Sequence, residues 1–354
     1  MARFAAVFLA WHASAWSTPG HERINRVAEN LLVGSQRDRI RHMMHSDPVD
    51  MSNWEKVTTV QNPDSVVLHW HHQDPEWTCA KQLGDHGHIK CNDHSAEQGS
   101  LFCGLAYFFQ EFSSKALLEQ YPDLEEPVNA PHNLAVLRGK ELSDSEDLKW
   151  LVTLIGDLHQ PLHWLHEREY GQRVNVSYRG EIMTLLDMWE TYIPLRLPSP
   201  PAADVVRRDY DKHSAVWEHR VPTDLFRDWA KDMAAIVCGE IYPAIEVNHA
   251  DGSRKIANPV VIDEALFHTW LNLANSVIEL GGQRVAFVLQ DILRHKKHKI
   301  LHTEGRGLLH SRWVSGLLTN VVLALFLVPT LLAVFTLHLH TGAPSFFKWR
   351  RAKV

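Results

Sequence analysis

Cysteine is scarce: the 354 residues hold four, Cys79, Cys91, Cys103 and Cys238. None forms a CxxC pair, which excludes the usual cysteine-based zinc modules. Strand-like alternation is nearly absent. Only Arg173 to Tyr178, where Val174 and Val176 alternate with polar residues, reads as a strand. No internal repeat is present, which excludes a solenoid. Excess positive charge is missing too. With a formal net charge of −6, a global electrostatic grip on nucleic acid is excluded, so any such binding must be local.

What the chain does have is helical periodicity, membrane signals at both ends and much histidine and tryptophan. Apolar residues recur at helical spacing over 19–33, 97–119, 143–159, 223–242 and 262–293, with Ser143 and Ser145 as candidate caps of the third segment. The fold class is therefore all-α. With 45% hydrophobic and 22% charged residues the chain is globular. The 24 His are a weak metal signal by themselves.

The N-terminus reads as a signal peptide over 1–15: Arg3, an apolar run from Phe4 to Trp11, then Ala13-Ser14-Ala15 as a small-residue cleavage site. Trp16 is then the mature terminus. One helical domain follows over 16–293, then a basic His-rich stalk over 294–312. Trp313 to Leu337 contains no charged residue and is long enough to cross a bilayer at about 1.5 Å per residue. A basic tail over 338–354 would be cytoplasmic. This organisation implies a type I single-pass membrane protein of the secretory pathway with a lumenal or extracellular domain. In that oxidising compartment four cysteines suggest two disulfides, in any of three pairings. Asn175-Val176-Ser177 is a glycosylation sequon, usable where exposed.

The informative stretch is Gly156-Asp157-Leu158-His159-Gln160-Pro161-Leu162-His163. An apolar helix ends here in an acid, two histidines and a helix-breaking proline. A carboxylate among so many apolar neighbours needs a partner, and a metal ion would supply one.

This stretch resembles the motif of the zinc-dependent single-strand-specific nucleases, an all-helical family that shares its fold with a class of zinc phospholipases C. Further matches follow in order: Trp16 with His21, Asn53-Trp54, Leu68-His69-Trp70, Asp187-Met188-Trp189-Glu190, and Leu280 to Ala286. The resemblance implies up to three zinc ions. One would take the amine and carbonyl of Trp16 with His21 and Asp157. A second would share Asp157 and use His69, and a third would use His163 and Glu190. Trp70 would stack on a base. The resemblance also implies disulfides Cys79–Cys238 and Cys91–Cys103.

Three expected ligand positions hold residues poorly suited to zinc. Lys56 stands where an Asp is expected, with Glu55 or Asp64 as alternative donors. Thr153 replaces a His one helical turn before Asp157. Leu186 replaces another His, with Asp187 and His166 as nearby alternatives, although Leu186 reads more simply as a core residue. Thr59 also stands in place of an Arg that would neutralise phosphate charge, and Gly171-Gln172-Arg173 in place of a Gly-Gly-Asn turn. One to two zincs are therefore expected. The resemblance implies metal-assisted phosphoester hydrolysis of single-stranded nucleic acid or 3′-nucleotides. The competing reading is a binding protein on a degenerate scaffold. No protein partner is evident. Lys56 is also expected to lie near Asp157 as a substitute charge.

Overall fold

The computed structural model describes residues 16–61, 79, 101–112, 144–218, 222–248 and 254–294. All lie in the compact unit Met1–Lys296, and among them no helix is long and apolar enough to cross a membrane. Segments 1–15 and 313–337, His69, Trp70, Asp64 and the expected Cys91–Cys103 pair fall outside the described residues.

The fold is mostly helical. The main helices are α1 (Thr18–Leu31), α2 (Gly34–Met44), α3 (Trp54–Gln61), α4 (Leu101–Phe112) and α5 (Asp144–Leu158). They are followed by α6 (Ala203–Trp217), α7 (Pro222–Ile236) and α8, over 264–294. Helix α5 is the hub: α1, α2, α3, α4 and α7 all pack against it. Its sequence allows this because Leu148, Trp150, Leu151, Val152, Leu154, Ile155 and Leu158 are all buried. A helix apolar around most of its circumference belongs in the interior.

The expected cap Ser145 lies inside α5, where its hydroxyl donates to Met44 O at 2.8 Å. It ties α5 to α2 instead of starting the helix.

Strands are short but more numerous than expected. The hairpin β1 (Asn175–Tyr178) and β2 (Glu181–Thr184) turns through Arg179 and Gly180, both at positive φ. The pair β3 (Glu246–Asn248) and β4 (Arg254–Ile256) is antiparallel, and β5 (Val260–Val261) adds to β1 in parallel. In β2 the apolar Ile182 and Met183 are adjacent and do not alternate with polar residues, and β3 to β5 are too short to show alternation, so only β1 was legible.

The disulfide Cys79–Cys238 is present, with its Cα atoms 5.3 Å apart. Cys238 lies in the π turn Val237–Ile241 that extends α7.

Candidate functional site

The site begins at the first described residue. Trp16 is fully buried, and the following Ser17 N–H donates to Glu190 O at 2.8 Å. Pro19 sits in the first turn of α1, where a missing N–H costs nothing. One turn in, His21 faces α5.

Two glycines make this approach possible. A Cβ on Gly20 would sit 2.8 Å from Trp16 Cβ, and one on Gly156 would sit 2.8 Å from His21 Nδ1. The glycine that precedes Asp157 is thus there for the imidazole of α1. His21 Nε2 then lies 3.1 Å from Asp157 Oδ1, with both side chains buried.

Past Asp157 the helix ends in a built turn. Gln160 N–H donates to Asp157 O at 2.9 Å, and the Gln160 side chain accepts from Leu162 N at 2.7 Å. Pro161 opens the 3₁₀ turn Pro161–His163. This turn aims His163 at Glu190, with Nε2 2.8 Å from Oε1. Glu190 stands in the π turn Met188–Tyr192. Its side chain holds His163 and its carbonyl accepts from Ser17 N–H, so it ties the His163 turn to the N-terminal end of α1.

The structure thus pairs His21 with Asp157 and His163 with Glu190, and these four residues and Trp16 are all buried. Sequence reasoning missed Ser17 and named Gly156 and Gln160 only as part of the motif, without the positioning roles seen here. The Gly156–His21 contact had no local signal, because it spans two helices.

The replaced positions are equally plain. Thr153 and Leu186 are buried, and Leu186 is a core residue. Asp187 is exposed and accepts from the Thr184 hydroxyl at 2.7 Å as a helix cap. His166 stacks edge-on against Tyr170 at 5.1 Å.

Lys56 corrects the expectation that it stands in for a metal beside Asp157. It is exposed, while Asp157 is wholly buried. The reason is the helical period: Trp54 packs edge-on against Trp150 at 5.0 Å and Thr58 is buried. Positions i and i+4 of α3 therefore face inward and i+2 faces out.

The other histidine of the motif is a different object. His159 is fully buried; its Nδ1–H donates to Ile155 O at 2.6 Å, and Nε2 accepts from Arg284 Nη1 at 2.9 Å. Burial first, then the Arg284 charge, holds this imidazole well below its ordinary range. Arg284 also pairs with Asp232 and lies over the Trp229 ring at 4.8 Å. Burial pulls the guanidinium down to about 10 against the opposing pull of Asp232.

As chemistry, each pair holds one imidazole and one carboxylate, both ordinary zinc donors. Two donors on one tetrahedral zinc lie about 3.3 Å apart, close to the 3.1 Å between His21 Nε2 and Asp157 Oδ1. The residues at the Trp16 end therefore fit the ion. His163 and Glu190 are in direct hydrogen bond and would have to part slightly to share one. Among the described residues no three His, Cys, Asp or Glu side chains gather as a metal cluster.

The profile of the S1/P1 Nuclease family matches residues 16–294. Nuclease S1 of Aspergillus oryzae is 23% identical over 194 residues, covering 54% of this chain and 58% of that protein. Nuclease P1 of Penicillium citrinum is 26% identical over 151 residues, 32% of this chain and 56% of that protein. Endonuclease 1 of Arabidopsis thaliana is 21% identical over 295 residues, 78% of this chain and 87% of that protein. The matches to the fungal nucleases span a little over half of those proteins' length. With a profile match running from Trp16 through α8, over the elements that build this site, the chain belongs to the S1/P1 nuclease family.

Proposed function

We propose that residues 16–293 form a lumenal, zinc-dependent phosphoester hydrolase acting on single-stranded nucleic acid or 3′-nucleotides. Leader 1–15 would deliver it and span 313–337 would anchor it. The observation that supports this reading is the presence of two buried imidazole–carboxylate pairs, His21–Asp157 and His163–Glu190, with the Glu190 carbonyl holding the Ser17 N–H next to Trp16.

Trp16, His21 and Asp157 would hold one zinc, and His163 with Glu190 a second. His69 would add a donor and Trp70 a base platform. Zinc would supply positive charge against the phosphoryl oxygens. The chain's own residues do the rest. Asp157 sets negative charge at the floor of the site, where burial strengthens its pull on a cation. Gly156 lets His21 reach it. Gln160 and Pro161 fix the turn that aims His163, and Glu190 keeps that imidazole oriented while anchoring the N-terminal segment through Ser17.

A second reading, a binding protein on a degenerate scaffold, is favoured by Thr153 and Leu186, buried where two histidines are expected, and by Lys56 in solvent. Zinc stoichiometry of the purified chain, measured beside cleavage of single-stranded DNA, separates the two. One or two zincs with cleavage support the hydrolase, whereas one zinc or none without cleavage supports the binding protein.

A further inference from the structure

The small sheet carries an apolar row on the wrong side. In β1, Val176 and Tyr178 point into the core, while Asn175 and Ser177 are on the outward face. Pairing fixes their neighbours: Ser177 lies opposite Ile182 of β2 and beside Val261 of β5. Ile182 is 68% exposed and Val261 78%. Two β-branched side chains thus flank Ser177 on an open sheet face. Covering this pair would remove its apolar surface from water.

The same face carries the one N-x-Ser/Thr sequon in the sequence, Asn175-Val176-Ser177. Asn175 lies opposite Thr184, two residue pairs along from the apolar row and on the same face. That places Ile182 diagonal to it, about 7–8 Å away by strand geometry. The Asn175 amide donates from Nδ2 to Asn258 Oδ1 at 2.9 Å, which orients the amide.

We propose that Asn175 carries an N-linked glycan whose first sugars lie over Ile182 and Val261, so that the chain covers its own outward sheet face. This rests on the lumenal reading above. In the transfer, Nδ2 attacks C1 of a lipid-diphosphate-linked oligosaccharide donor. The N–C1 bond forms, the C1–O bond to diphosphate breaks, and the lipid diphosphate leaves with the electron pair while Nδ2 gives up one proton. Nδ2 keeps its second hydrogen, so the bond to Asn258 survives and steers the linkage. The C–H faces of the sugars cover the aliphatic row, and their hydroxyls face water.

The test uses the full chain, expressed with its own leader in a eukaryotic host. Peptide mass mapping reads two things at once: a mature terminus at Trp16 and the state of Asn175. The expected result is a Trp16 terminus with one glycan on Asn175, abolished alike by Asn175→Gln and Ser177→Ala. Both variants should then self-associate on size-exclusion chromatography, and Ile182→Thr with Val261→Thr should restore the monodisperse peak. Wild-type chain trimmed to the first sugar should stay monodisperse. A Trp16 terminus with unmodified Asn175 overturns the proposal and leaves the lumenal reading standing. A glycan whose loss changes nothing, or self-association that the threonine pair does not reverse, overturns the cover. Retention of residues 1–15 with no glycan overturns the lumenal reading and this proposal together.

Discussion

His159 and His163 stand four residues apart at the end of α5, both wholly buried, and they do opposite things. His159 has both ring nitrogens committed, one to Ile155 O and one to the permanent cation of Arg284. It cannot ligate without losing one of them. His163 faces carboxylate chemistry: Glu190 directly, with Asp157 and His21 built into the same site. Burial therefore does not mark a ligand. The charge that faces the ring is what separates the two.

The strongest way to break this comparison is to loosen the helix that frames both histidines. Helix α7 carries Asp232, the partner of Arg284, and packs against the Pro161–His163 turn. It is held at its end by Cys79–Cys238, which closes a loop across a sequence separation of 159. Replacing both cysteines with serine should cost about 5 kcal/mol in the chain-entropy account. Urea unfolding of the variant beside the wild type checks this. A loss well under half that size would mean that α7 is held by packing alone.

Arg284→Met sharpens the contrast. It leaves a buried imidazole acceptor without its cation, a loss of about 2–3 kcal/mol. Zinc content should not change, because His159 is outside the donor set. Unfolding midpoints and metal analysis on the same preparation read both. A drop in zinc would place His159 in the metal site after all.

Gly156→Ala is the reciprocal test. Its Cβ would meet the His21 ring at 2.8–2.9 Å, pushing the imidazole off Asp157. The expected cost is about 1–3 kcal/mol together with loss of the zinc proposed for Trp16, His21 and Asp157. Gly281→Ala meets the His159 ring at 3.1 Å and should cost less, with zinc retained. Isothermal titration with zinc discriminates the pair.

The sequence made the centre of this site legible and its walls illegible, for physical reasons. Asp157 and His163 could be read because an acid and an imidazole at the end of an apolar helix need a reason. His21 could be read only through the resemblance, since its partner is 136 positions away, from 21 to 157. The role of Lys56 was misread because motif position says nothing about which helix face is inward; Trp54 and Thr58 decide that. Helices α2 and α6 went unread because they bury little: Ile40 and Met44 in one, Val206, Tyr210 and Trp217 in the other. Such sparse apolar positions do not make a continuous stripe.

The smallest expected effect concerns a strut that holds the walls of the two histidine environments together. Helix α8, which carries Arg284, also carries Gln290. The Tyr210 hydroxyl of α6 donates to Gln290 Oε1 at 2.8 Å, and Gln290 Nε2 reaches Leu31 O of α1 at 3.4 Å. Burial pushes the Tyr210 phenol up to about 12 from its ordinary 10. A raised value in the folded state means that the unfolded chain loses its proton first. Stability from this group is therefore fully present below about pH 10 and is lost as pH rises through about 12. Tyr210→Phe should cost about 1 kcal/mol at neutral pH, the net worth of one hydrogen bond. The gap to wild type should narrow as pH climbs from 10 toward 12, because ionisation removes from the wild type the donor that the variant never had. Melting temperatures of both proteins across pH 7 to 11 test it. Parallel curves would show that Tyr210 does not titrate in this range, and that the strut serves the two sites by packing alone.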